Sequence, residues 1–203
     1  MRTGEQVAAE RRELVGLLET LSPQQWEAPS LCAGWRVRDV VAHLLYDAIP
    51  LHRYVISQAR YRLDVNKLNN GLVDAERSTS PDQLLARYAA IERGTLSRYL
   101  PTVAIADLVV HQQDIRRPLS MPRTIDPERL RLVLDHPDPF AFTWRNTRGL
   151  RFVATDLDWT HGTGPEVRGT GEALALAVAG RPIVLDELQG DGVRTLRSRI
   201  AAG

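Results

Sequence analysis

Asp107 and His111 stand four residues apart in AIADLVVHQQDIRRP, the stretch from Ala104 to Pro118. At about 100° per residue they share one helical strip with Asp114, while Ile105, Leu108, Val109 and Ile115 form a separate apolar side. A carboxylate and an imidazole one turn apart aim lone pairs at a common point, which suits a divalent metal and equally suits an ordinary ion pair. Asp and Glu make up 25 of 203 residues, about one in eight, so such a pair also arises by chance. A metal centre therefore requires a third ligand from another element.

Histidine is scarce: His43, His52, His111, His136 and His161 are the only five. His43 alone lies well inside a convincing amphipathic helix, whose core stripe is Val37, Val40, Val41, Leu44, Leu45 and Ala48 and whose end is Pro50. It lies about 100° from the centre of that stripe, with Asp47 one turn beyond. His52 follows a proline, His136 sits at a helix end beside Pro137, and His161 is next to glycine in a turn. His43, Asp107 and His111 thus make the best His-carboxylate-His set, with an open position for water or substrate. The set stands only if His43 and His111 come within about 8 Å, the limit of a shared coordination sphere. The competing reading is a core histidine bonded to a neighbouring carbonyl or to Asp47. Asp114 either orients His111 or accepts a proton, or is an exposed partner of Arg116 or Arg117.

The elements that must position these groups are helical through residue 136. Thr3 with Gln6 reads as a capping box ahead of Val7, Leu14, Leu17, Leu18 and Leu21. Ser22, Pro23 and Gln25 open a short helical turn, broken by Pro29 and Gly34. From Leu51 to Leu68, Val55, Ile56, Ala59 and Leu63 continue a helical pattern past Pro50, and Asn69, Asn70 and Gly71 stop it. Ser80, Pro81 and Gln83 start one helix carrying Leu84, Leu85, Tyr88, Ile91, Thr95, Leu96 and Tyr99, which Pro101 ends. Asp126 and Pro127 begin a shorter one with Leu130, Val133 and Leu134. Long amphipathic helices of this kind build a four-helix bundle with additions. The character changes after His136: LRFVATDLDW reads as a strand, GTGPEVRGTG as turns around a second, and Thr170 as the cap of EALALAVA, which Gly180 terminates. A last helix runs from Asp191 to Ile200. The expected class is α+β, with a helical domain over residues 1–138, a small α/β domain over 139–203, and the boundary near 137 to 148.

The totals fit an ordinary globular protein, with 43% apolar and 25% charged residues. A net charge of +1 with scattered arginines calls for neither nucleic acid nor an anionic membrane, and no apolar run reaches the ~18 to 20 residues of a span. The N-terminal MRTGEQVAAERRELV lacks the apolar core of a signal peptide. A single cysteine, Cys32, favours a reducing cytoplasm. No internal repeat is seen.

The run SLCAGWRVRDVVAHLL resembles the signature of the mycothiol-dependent maleylpyruvate isomerase family, a branch of the DinB-like thiol-dependent transferases, in which a Cys-x-Gly-Trp turn leads into a helix ending in Ala-His-Leu. DLVVHQQDIRRPL resembles its second signature, and LRFVATDLDWTHGTGPEVRGTGEALALAVAGR followed by LDELQGDGV its C-terminal domain. The resemblance implies a DinB-like four-helix bundle joined to a small sterol-carrier-like α/β domain. It also implies a zinc-type divalent metal held by His43, Asp107 and His111, with mycothiol as thiol cosubstrate. The reaction implied is addition of a metal-activated thiolate to a small electrophile, giving cis-trans isomerisation of an enedioic keto acid; an S-transferase or a non-catalytic binding protein on the same scaffold are the alternatives. The expected oligomeric state is monomer or homodimer.

Two positions depart from the family pattern: Asp107 where glutamate is common, and Arg36 where a threonine often caps the helix, so that Asp39 must offset the positive helix end. Arg181, after the stop at Gly180, is a candidate to reach a carboxylate of thiol or substrate over an interdomain cleft, or is a plain surface or salt-bridge arginine. Cys32, with no base beside it in sequence, reads as a small buried side chain, and Trp35 as packing on the start of its helix.

Overall fold

The structure is a computed structural model that describes residues 2–60, 64–92, 94–141 and 143–202. The chain divides into two compact units, Met1–Pro122 and Arg123–Gly203. The architecture is the expected α+β, and among the described residues no helix is long and apolar enough to cross a membrane.

The first unit contains α1 (Thr3–Leu18), α2 (Pro23–Trp26), α3 (Val37–Leu44), a 3-10 turn at Leu45–Ala48, α4 (Leu51–Arg60), α5 (Val65–Ala75), α6 (Pro81–Ala89), α7 (Thr95–Tyr99) and α8 (Pro101–Arg116). Helices α1, α3, α6 and α8 form the bundle: α1 packs on α6 and α8, and α3 packs on the same two. Its core is Leu14, Leu18, Val37, Val40, Val41, Leu44, Leu84, Tyr88, Ile105 and Ile115. Helix α8 is its most enclosed member, since every residue from Ala104 to Ile115 is buried except Asp107.

Several expectations about this unit change. The helix read through residues 80–100 is two, α6 and α7, because Arg11 and Asp47 form a buried ion pair of 2.6 Å at the break. Arg11 Nη1 donates to the Ile91 carbonyl at 3.0 Å, and Asp47 Oδ1 accepts Ser97 N at 3.0 Å, so α7 starts on the carboxylate. A Cβ at Gly94 would overlap Asp47, which is why glycine stands there. Pro101 consequently opens α8 instead of ending its predecessor. Asn69, Asn70 and Gly71 lie inside α5, which Asp64 caps by accepting Lys67 N at 3.1 Å; burial of Leu68 and Val73 outweighs the poor helix propensity. On α4, Val55 and Ile56 are exposed, and Leu63 lies outside the described residues. At the N-terminus, the first helical turn is closed by Glu5 accepting Arg2 N at 3.0 Å, not by a Thr3–Gln6 box.

The second unit contains α9 (Pro127–Asp135), a 3-10 turn at Pro139–Ala141, α10 (Thr143–Thr147), β1 (Arg151–Ala154), β2 (Thr160–Gly162), β3 (Glu166–Gly169), α11 (Gly171–Val178), a 3-10 turn at Pro182–Glu187 and α12 (Val193–Ala201). The sheet order is β2-β1-β3, with β1 antiparallel to β2 and parallel to β3. Phe152 opposes Val167 in the parallel register, and both are fully buried. Thr170 caps α11 by accepting Ala173 N at 3.3 Å. The helix ends in a left-handed Gly180 (φ +82°), with Arg181 N bonded to Leu176 O and Gly180 N to Ala177 O.

The division between units falls after Pro122 and not at 138/139. Helix α9 has bundle-like periodicity, but it packs on α11, and Asp135 accepts Trp159 Nε1 at 2.8 Å. Its stripe of Leu130, Val133 and Leu134 is buried in the small unit's core.

Candidate metal centre

Helices α3 and α8 carry the three side chains. Arg36 supplies no side-chain cap to α3; Asp39 takes that place, accepting Arg36 N at 2.9 Å and Arg36 Nε at 3.0 Å. Burial opposes the charge on Asp39, yet these bonds hold its carboxyl below the usual range. With Val37, Val40, Val41 and Leu44 packed in the core, His43 is carried inward beside them and is 5% exposed.

The His43 and His111 rings have centroids 4.9 Å apart at 68°. Asp107 Oδ1 lies 3.2 Å from His111 Nε2 and 4.0 Å from His43 Nε2, and one donor atom from each residue lies within 4.8 Å of the others. Each of the two α8 ligands is held from behind. Asp114, wholly buried, has Oδ2 2.8 Å from His111 Nδ1, so it accepts the Nδ1–H hydrogen bond and leaves Nε2 facing Asp107. The Tyr46 hydroxyl donates to Asp107 Oδ2 at 2.7 Å, leaving Oδ1 toward the histidines. His43 is held differently: its buried Nδ1 has no hydrogen-bond partner among the described residues, and the rings of Trp35 (5.3 Å) and Tyr46 (5.2 Å) flank it.

The electrostatics separate the two histidines. Burial lowers the pKa of His43, more than the Asp107 carboxylate raises it. Burial also disfavours charge on His111, but there the Asp107 charge prevails and the pKa stands well above the ordinary value. For Asp107 burial pushes upward, and the His111 charge beside it, with His43 close by, brings the carboxyl far below its usual range. Burial, then the charge of Asp107, drives the Tyr46 hydroxyl well above its ordinary value, so it stays a donor.

Two neutral-capable imidazoles and one carboxylate are the donor set of a zinc-type centre with an open position. Donors around tetrahedral zinc stand about 3.3 Å apart. The Asp107–His111 pair already has that spacing, and His43 stands farther off. Asp107, the α8 position not closed over, marks where solvent reaches the set. The residues fit such an ion.

The other sequence candidates fall out as follows. Asp114 is not exposed: it is buried against His111. Asp47 pairs with Arg11 and not with His43. Cys32 does have acid-base neighbours: its Sγ donates to Asp114 Oδ2 at 3.1 Å and lies 3.6 Å from His111 Nδ1. The separation of 82 residues hid that contact. Trp35 faces His43 and donates Nε1 to Asn70 Oδ1 at 3.2 Å. Arg181, in the second unit, donates Nη1 to the Ala179 carbonyl at 2.9 Å. His52, His136 and His161 are exposed. Sequence reading missed Tyr46, although its place three residues after His43 puts it on the same helix side.

The family model described as Mycothiol maleylpyruvate isomerase N-terminal domain matches residues 7–100. Over those residues, just under half of the chain, the protein is similar to that family. The matched span takes in Cys32, His43 and Tyr46 and stops before Asp107 and His111. Among solved structures, the crystal structure of the mycothiol-dependent maleylpyruvate isomerase aligns with a TM-score of 0.54 at 13% identity. That of a histidine-to-alanine mutant aligns with a TM-score of 0.55 at 12%. Each comparison covers 94% of this chain and 93% of the other. At such identities the likeness is one of fold, and it extends over both units. No curated protein gives a significant match.

Proposed function

We propose that this protein is a metal- and mycothiol-dependent isomerase of small electrophilic keto acids. The reaction is reversible addition of the thiol sulfur to a conjugated double bond, rotation about the resulting single bond, and elimination to the trans isomer with return of the thiol. The observation that carries the reading is the meeting of His43, Asp107 and His111 from two helices, with donor atoms within 4.8 Å, in a chain whose N-terminal unit bears the family domain. A divalent cation held there, zinc by its donor set, favours thiolate over thiol near neutral pH.

The chain's own groups do the rest. Asp114 fixes the His111 ring and keeps Nε2 available, and Tyr46 holds Asp107 with one oxygen free. Trp35 and Tyr46 wall the His43 side with aromatic surface that limits water and leaves the approach beside Asp107. Asp107, one methylene shorter than the glutamate of the family pattern, reaches the histidines because α3 brings His43 within 4.0 Å of it.

The test is elemental analysis of the purified protein, then turnover of maleylpyruvate with mycothiol by loaded and chelator-treated samples. Thiol-dependent isomerisation lost on chelation is the expected result. Thiol consumption with a stable adduct instead marks an S-transferase, and tight ligand binding without turnover marks a binding protein; either result removes the isomerase reading.

A further inference from the structure

The turn that leads into α3 is tied to α8 through Asp114. Within the turn, Pro29 and Arg36 bridge antiparallel, Ser30 N donates to Trp35 O at 2.9 Å, and Ser30 Oγ accepts Cys32 N at 3.1 Å. Two hydrogen bonds from the turn to α8 end on Asp114: Leu31 N donates to the main-chain carbonyl at 3.0 Å, and Cys32 Sγ donates to Oδ2 at 3.1 Å. That same Oδ2 is the atom 2.8 Å from His111 Nδ1.

We infer that Cys32 is a positioning residue that acts through Asp114. Its thiol pins the carboxylate that orients His111, and the turn it anchors sets the helix of His43 in register with the helix of His111. The role of His111 as a ligand rests on the reading above; the pinning itself does not.

The physical case starts from the freedom of an aspartate carboxylate. Its terminal torsion is broad and roughly two-fold, so a ring held by one oxygen is only as well oriented as that oxygen. Asp114 is wholly buried, where it depends on fixed donors for its orientation. A thiol is a weak donor, but a carboxylate acceptor strengthens the bond, and no other side-chain atom of the turn reaches this oxygen among the hydrogen bonds described. Cys32 is itself held by Ser30, so the thiol is delivered from a closed turn and not from a loose loop. No nucleophilic step by sulfur is involved.

The test compares Cys32→Ala and Cys32→Ser with wild type in the full chain, by two readings. In metal-free protein, nuclear magnetic resonance follows the His111 Hδ1 proton held by Asp114; in parallel, zinc affinity is measured by competition with a chromophoric chelator. Alanine, which has no donor, is expected to broaden or lose the Hδ1 signal and weaken zinc about tenfold, the lower end for removing a group that orients a ligand. Serine, which keeps a donor, is expected to retain the signal and lie closer to wild type. A wild-type Hδ1 signal and zinc affinity in Cys32→Ala overturn the inference, and so does equal loss in both variants, since a donor would then not matter. If alanine does not fold, Cys32→Val, which also has no donor but nearly keeps the volume of the thiol, takes its place, and the same outcomes decide. Failure of wild type to bind zinc removes the metal reading alone, because the resonance test needs no metal.

Discussion

Replacing His43 by alanine separates a ligand from a core side chain. The imidazole is 5% exposed and lies among Trp35, Tyr46 and His111, with ring centroids at 5.3, 5.2 and 4.9 Å. Losing a buried ring of this size costs about 3 kcal/mol in packing. Its Nδ1 is buried without a partner among the described residues, and removing an unsatisfied polar atom returns about 1–3 kcal/mol. The metal-free variant is therefore expected to lose only about 1 kcal/mol, a few degrees in melting temperature. Metal binding responds far more. Apparent zinc binding free energies of about 10–16 kcal/mol over four ligands give about 3 kcal/mol for one, which is on the order of a hundredfold in affinity. The assay pairs a chelator-competition titration with melting curves of metal-free and zinc-loaded protein. A variant that binds zinc like wild type while melting lower would refute the reasoning and return His43 to the core.

Tyr46→Phe removes the hydroxyl that holds Asp107 Oδ2 and is expected to weaken zinc about tenfold while leaving the fold within about 1 kcal/mol, read by the same titration and melt. Asp47→Ala strands Arg11, whose side chain is 7% exposed, and is expected to destabilise the first unit by about 3–5 kcal/mol in denaturant unfolding; a loss under about 1 kcal/mol would count against the pair as the cause of the α6–α7 break. The raised pKa of His111 means it carries a proton at neutral pH in the metal-free protein, whereas His43, with its lowered pKa, does not. Zinc binding at pH 7 should then release about one proton, and affinity should rise with pH; calorimetry in buffers of different ionisation enthalpy reads the count, and zero would contradict the assignment.

Much of the site was legible because its parts are local. Asp107, His111 and Asp114 fall within two turns of one helix, so spacing alone shows that they share a face. The start signals at Ser22, Ser80 and Asp126 likewise lie within three residues of the amides they accept. Periodicity was less informative where a helix can pack in either of two cores. Helix α9 has the same kind of apolar stripe as the bundle helices, and only its packing on α11 places it in the second unit. Gly94 and Pro101 looked like an interruption and an end; the buried Arg11–Asp47 pair is what makes them a start for α7 and α8.

By itself the sequence determined which residues lie together on each helix, where most helices begin, and which three side chains have the chemistry of a metal centre, because these depend on interactions a few residues long. Only the tertiary structure decided that His43 meets Asp107 and His111, that Tyr46 and Cys32 support the groups behind them, and that Asp47 serves Arg11 instead of His43. Those contacts join residues 36 to 82 positions apart, and no periodic pattern encodes them. They follow from which apolar faces pack on one another and what that packing leaves side by side.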